Sequence, residues 1–312
     1  MDVVKNLGIS YKASYLIQGN QMERCSTSTA LNVKYTCLYA RTDGKDFNIE
    51  SILKNYKGNI VFHLPSINPD LSNLTPVNNL VKKIVDSKLK LVTIDASNLS
   101  SDLFEWSTLE EQKKYFLNVV TGIATLASNK IEVAIENSKS STSNSKFGSC
   151  ISQMTDIIVY SRRLLVKDFG FSEGDAEKYI GISLNIDNIN FDNEKEGILN
   201  YMEVFDKNIK VIKFESYNRL NMILDLLKQR EKDVLVFYNT KEDLDEIKEK
   251  FISLRNEIEN SIEDTSILND SKKLVNNKGF TNIIMYSMIL LTIVIVVLMF
   301  IIKLKWKFDY NE

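Results

Sequence analysis

A chain of 312 residues with 44% hydrophobic and 26% charged side chains is long enough for one large domain of about 250 residues and an appendage. Its 39 basic and 41 acidic residues give a formal charge of -2 without any long block of like charge, which excludes the electrostatic footprint of a nucleic-acid binder. Cys25, Cys37 and Cys150 are odd in number and far apart, which excludes a disulfide framework or a C-x-x-C metal knuckle and points to a reducing compartment.

The opening MDVVKNLGISYKAS has no cationic segment followed by an apolar stretch, so no secretory signal is expected. Short β-branched or apolar runs then recur: LGISY near residue 7, NVKYTCLYA from 32, NIVFHL from 59, LKLVTID from 89, IEVAIE from 131, YIGISLNI from 179, NIKVIKFE from 208 and DVLVFY from 233. Cys37 falls inside the second run and reads as core filler rather than nucleophile. Between the runs, TPVNNLVKKIVDSK, TLEEQKKYFLNVVTGIATLASN, SYNRLNMILDLLKQR and TKEDLDEIKEKFISLRNEIEN carry apolar residues at helical spacing. Lysine pairs such as VKKIV and EQKKY alternate with apolar residues and read as solvated helix faces. Strands alternating with helices to this count predict an α/β fold, a parallel (β/α)8 TIM barrel over residues 1–260. No glycine-rich phosphate turn follows the first strand, which removes the main reason to prefer an open doubly wound sheet.

Leu244, Ile247, Phe251, Leu254 and Ile258 continue the helical spacing and are expected to pack on the barrel. Residues 261–282 are polar and read as a linker. From Ile283 to Ile302 the chain runs 20 residues without a charge. At about 1.5 Å per residue, such a helix crosses about 30 Å of hydrocarbon, so a single transmembrane helix is predicted at 283–302. Residues 303–312 form a short lysine-rich tail. Lys272, Lys273 and Lys278 before the span balance Lys303, Lys305 and Lys307 after it, so the positive-inside rule does not choose an orientation. With no export signal to carry a large body across, the barrel is expected on the cytoplasmic side, tail-anchored in the cell membrane. The partners expected are therefore the membrane and an unidentified protein or small-molecule ligand, without nucleic acid.

In such a barrel, chemistry sits at the C-terminal ends of the strands. Those ends carry His63, Asp95, Glu136, Asn185, Asp187, Asn188, Lys213, Glu215 and Tyr238. The succession FHLPSIN, VAIENSKSSTSNSKFG, GISLNIDN and VIKFESYN resembles the xylose isomerase-like barrel superfamily, and within it endonuclease IV, the apurinic endonuclease family 2. The resemblance implies a metal-dependent barrel, with three zinc ions in the endonuclease and usually one divalent ion in the sugar isomerases and epimerases. It aligns His63 and Glu136 with two of the family's ligands, and Asn137 with the asparagine that follows the second. The remaining ligand positions depart: Asp95 stands for a histidine, Asn185 and Asn188 for an aspartate and a histidine, Lys213 for a histidine and Tyr238 for a glutamate.

A chain with one histidine cannot build the three-zinc site. An ammonium at Lys213 repels a cation, and the reading that follows is a Lys213–Glu136 ion pair in place of the metal, so no cofactor is expected. The alternative is a single divalent ion on Glu136, Asp95 and Asp187, with Glu215 as a further candidate. A Schiff base with a carbonyl substrate is a further role open to Lys213. The serine-rich SKSSTSNSK reads as a loop over the barrel mouth. The functional expectation is a membrane-anchored barrel, non-catalytic or catalytically altered, serving as a ligand-binding or interaction module. A divalent-metal sugar isomerase or epimerase is the alternative, and an apurinic endonuclease ranks last.

Overall fold

The computed structural model describes residues 6–11, 21–39, 52, 54, 56, 58–64, 82–87, 89–96, 108–139, 148–189, 194–215, 234–240 and 246–260. Eight parallel strands close into a barrel in sequence order: β1 (Leu7–Tyr11), β2 (Tyr35–Tyr39), β3 (Asn59–Leu64), β4 (Leu91–Asp95), β5 (Glu132–Glu136), β6 (Ile180–Asn185), β7 (Ile209–Phe214) and β8 (Leu235–Thr240). The β8–β1 ladder, Leu7 to Tyr11 against Val236 to Thr240, completes the ring. Each strand falls on one of the apolar runs seen in the sequence, with β8 extending past its run by Asn239 and Thr240. Parallel strands are covered on both faces, which is why they read as near-continuous hydrophobic stretches rather than as clean alternation.

The described helices are α1 (Gln21–Ala30), α2 (Leu109–Ser128), α3 (Ile151–Phe169), α4 (Glu173–Tyr179), α5 (Glu194–Phe205) and α6 (246–260). The start of α2 is set by a capping box: the Thr108 hydroxyl accepts from Glu111 N, and Glu111 Oε2 accepts from Thr108 N at 2.7 Å. Gly170, at φ 72, ends α3 in the left-handed conformation that glycine adopts without strain. Arg255 Nη2 donates to the carbonyls of Leu31 and Asn32, tying α6 to the turn that leads into β2.

Two-residue alternation decides what enters the barrel. Cys37, Val61, Ala134, Val211 and Phe237 come from five strands and pack together in its interior, with Tyr35, Tyr39, Leu91 and Leu235 against them. Gly8 is needed at this layer, because a Cβ there would stand 2.6 Å from both the Tyr35 carbonyl oxygen and the Phe237 ring.

The chain divides into two compact units, Met1–Arg255 and Asn256–Glu312. Of the second, only 256–260 are described, all helical. Among the described residues no helix is long and apolar enough to cross a membrane. The expected linker 261–282, span 283–302 and tail 303–312 lie outside the described residues, as does most of the serine-rich loop.

Candidate functional site

Continuing each inward-facing row toward the C-terminal end of its strand brings polar side chains together above the apolar interior. Val61 is followed inward by His63, Ala134 by Glu136, Val211 by Lys213 and Ser183 by Asn185, with Thr93 and Asp95 on β4 beside them. The Lys213 ammonium lies 2.6 Å from Glu136 Oε2, 2.9 Å from His63 Nδ1 and 3.1 Å from Thr93 Oγ1. All three groups accept from it, because a lysine only donates. His63 Nδ1 and Glu136 Oε2 are 3.4 Å apart, and the ammonium bridges them. That arrangement leaves the ring proton on His63 Nε2, which donates to Asp95 Oδ1 at 3.1 Å.

The pair is deeply buried: Lys213 is 0% exposed and Glu136 3%. Burial alone pulls the ammonium toward losing its proton, but the Glu136 charge outweighs it and holds the Lys213 pKa above its ordinary value. A Schiff base needs the neutral amine, so this environment opposes that role. Tyr39 packs beside them, its ring centroid 4.1 Å from that of His63 and 5.1 Å from Lys213 Nζ. Burial also raises the Tyr39 phenol and the Cys37 thiol, which keeps Cys37 a protonated core residue rather than a nucleophile.

Three asparagines hold Glu136 in place. Asn185 Nδ2 donates to Glu136 Oε1 at 2.7 Å. The Asn137 amide accepts from Asn185 N at 2.7 Å and donates to Asn185 O at 3.1 Å, imitating one more rung of the β5–β6 ladder. Asn188 Nδ2 donates to Asn137 O at 2.8 Å and so faces β5 rather than the ammonium. The amides at Asn185 and Asn188 therefore act as donors that position a carboxylate.

The ends of β6 and β7 behave differently from the expectation. After β6 the chain enters a 3-10 turn, Ile186–Asn188, and the Asp187 carboxylate accepts from the Glu215 backbone N–H. His63, Asp95 and Glu136 offer ligand atoms within 4.8 Å of one another, and Asp187 and Glu215 lie outside that group. Tyr238 is displaced by one position, because its parity puts it with outward-facing Phe214, whose ring lies 5.7 Å away. The inward residues of β8 are Phe237 and Asn239. Asn239, Thr93 and Tyr39 were missed from sequence. The period of two counted from inward-facing Phe237 is the signal that finds Asn239.

The three donor groups of His63, Asp95 and Glu136 converge, but Glu136 Oε1 already accepts from Asn185, and the Lys213 ammonium, ion-paired with Oε2, sits between it and His63 Nδ1. A cation placed there meets like charge at contact distance. His63, Asp95 and Glu136 thus converge as a single-ion site requires, and the Lys213 ammonium between two of them is what opposes an ion there.

No family model matches the sequence, and neither does any curated protein. Solved structures do match in fold. A D-tagatose 3-epimerase-like protein superposes with a TM-score of 0.55 at 14% identity, covering 82% of this chain and 98% of that one. The 3-keto-D-glucoside 4-epimerase of E. coli superposes at 0.54 with 11% identity, covering 80% and 99%. An L-ribulose 3-epimerase superposes at 0.53 with 14% identity, covering 75% and 80%. At these identities the likeness establishes the architecture alone, a closed parallel (β/α)8 barrel.

Proposed function

We propose that this chain is a sugar-binding barrel of the isomerase and epimerase kind in which the Lys213 ammonium takes the place of a divalent ion. The observation that carries the reading is the buried ammonium 2.6 Å from Glu136 and 2.9 Å from His63, at the mouth where such barrels work. The fold likeness to sugar epimerases supports the substrate class. Among the described residues, Asp95, Glu136, Asp187 and Glu215 outnumber the cations at the mouth, which favours a neutral sugar over a phosphorylated one.

The chemistry is proton transfer beside a carbonyl. A ketose oxygen that displaces Glu136 Oε2 from the Lys213 ammonium accepts its N–H, makes the neighbouring C–H acidic and frees the carboxylate to act as base. Glu136 takes that proton, the C–H electron pair moves to the carbonyl oxygen as an enediolate, and the ammonium faces the new charge. Return of the proton from Glu136 to the former carbonyl carbon, while the neighbouring hydroxyl passes its proton to the enediolate oxygen and becomes the new carbonyl, gives the isomer. Thr93 and His63 hold Lys213, Asp95 holds His63, and Asn185 holds Glu136.

The test is full-length protein with D-allulose, D-tagatose or L-ribulose in deuterated water, followed by NMR. Deuterium should enter the carbon beside the carbonyl, with or without a chelator, and Glu136→Gln should abolish it. Absence of binding and exchange with every sugar contradicts the reading. A second reading, a divalent-metal isomerase or epimerase, is favoured by the convergence of His63, Asp95 and Glu136 within 4.8 Å. It requires exchange that stops on chelation. DNA cleavage finds no support in a mouth with one histidine and a surplus of carboxylates.

The proposal keeps the barrel at a membrane, tethered through 283–302 with its body on the cytoplasmic side. The charge-free run of 20 residues supports it. Resistance to alkaline extraction, lost when 283–312 are removed, tests the anchor.

A further inference from the structure

We infer that Asn239 is a sugar-contacting residue, an amide set at the mouth to take two neighbouring hydroxyls of a neutral sugar lying over the Lys213–Glu136 pair; this rests on the sugar-binding reading. Asn239 follows Phe237 on the inward-facing side of β8, and Phe237 is the register partner of Lys213. The Asn239 side chain therefore stands one inward position nearer the mouth than the ammonium. Its own partner across the β8–β1 ladder is Ser10, another buried polar residue on the same inward row.

Asn239 is 2% exposed, yet neither its amide oxygen nor its amide nitrogen has a hydrogen-bond partner among the described residues, and the buried Ser10 hydroxyl opposite it is unpartnered as well. The contrast with Asn137 is direct. That amide is equally buried and uses both of its atoms on the β6 backbone. Lys213, His63, Thr93 and Asn185 are likewise engaged. Folded proteins seldom leave a buried amide with both ends unmatched, because the group gives up its water without return. An asparagine amide offers an acceptor and a donor side by side, and two adjacent sugar hydroxyls offer the complementary pair. A leucine of nearly the same size would fill the position without that penalty, so the amide is explained by a ligand rather than by packing.

Asn239→Leu separates the two explanations, measured on the full-length chain in mild detergent by thermal unfolding and by calorimetric titration with D-allulose, D-tagatose and L-ribulose. The expected result is a higher unfolding temperature than wild type together with binding weakened by a factor on the order of ten. A more stable variant that binds as wild type does overturns the inference and leaves the sugar-binding reading standing. Should the leucine variant fail to fold, Asn239→Ala is titrated with each sugar and its monodeoxy analogues. One analogue is expected to bind wild type and variant alike, marking the hydroxyl that the amide holds. Equal losses across all analogues, or none, overturn the inference. A wild type that binds none of the three sugars overturns the sugar-binding reading and this inference with it.

Discussion

Lys213→Met keeps an apolar stem of similar length in the barrel and removes the ammonium. Three contacts go with it, to Glu136 at 2.6 Å, His63 at 2.9 Å and Thr93 at 3.1 Å. What remains is worse than a missing bond. Glu136, 3% exposed, is left as a buried charge whose main compensation is the Asn185 amide. Removing one partner of a buried pair costs about 3–5 kcal/mol. In a domain of this size each kcal/mol moves the unfolding temperature by about 2–4 °C, so the variant should unfold roughly 6 to 20 °C below wild type. Adding Glu136→Leu should return much of that loss, because the second change removes the stranded charge, and the two effects should be far from additive. Thermal unfolding of the four proteins by circular dichroism at neutral pH measures the cycle. A Lys213→Met loss below about 1 kcal/mol, the scale of an exposed pair, or strictly additive changes, would refute the buried-pair account.

The pH dependence follows from the same pair. The folded-state pKa of Lys213 lies above its ordinary value of 10.5, so its contribution is fully present below that value and fades as pH climbs through the higher folded one. The stability difference between wild type and Lys213→Met should therefore stay flat between about pH 7 and 9 and shrink above about 10.5. Lys213→His places an imidazole next to His63, Asp95 and Glu136; this variant, unlike wild type, should unfold at a higher temperature when manganese or zinc is added. Gly8→Ala puts a Cβ 2.6 Å from the Tyr35 backbone oxygen and should lower stability by about 1–3 kcal/mol, read from urea unfolding.

Much of the barrel was legible in the sequence because parallel strands buried on both faces leave unbroken apolar runs, and those runs alternate with amphipathic segments. The Glu136–Lys213 pair was legible for a related reason. Each ends such a run, and all strand ends of a barrel point to one mouth. What escaped depends on register. Tyr238 and Asn239 differ by one residue, and a slip of one turns a side chain to the opposite face. Asp187 shares parity with Asn185, but the strand ends at Asn185 and the following 3-10 turn redirects its carboxylate to the Glu215 N–H. Thr93 and Tyr39 carry no charge and sit inside ordinary strand sequence, so only the folded ring shows that they touch Lys213 and His63. Asn185 and Asn188 looked like weakened metal ligands, whereas both serve as donors that fix β5 and its carboxylate.

On the proposed reading Lys213 supplies the positive charge that a metal would otherwise supply. Elemental analysis of the full-length chain, equilibrated with zinc and manganese and then freed of loose ions, measures this directly. The account predicts far less than one ion per chain in wild type. One tightly held ion per chain, retained through that treatment and lost when Glu136 is changed to alanine, would contradict it.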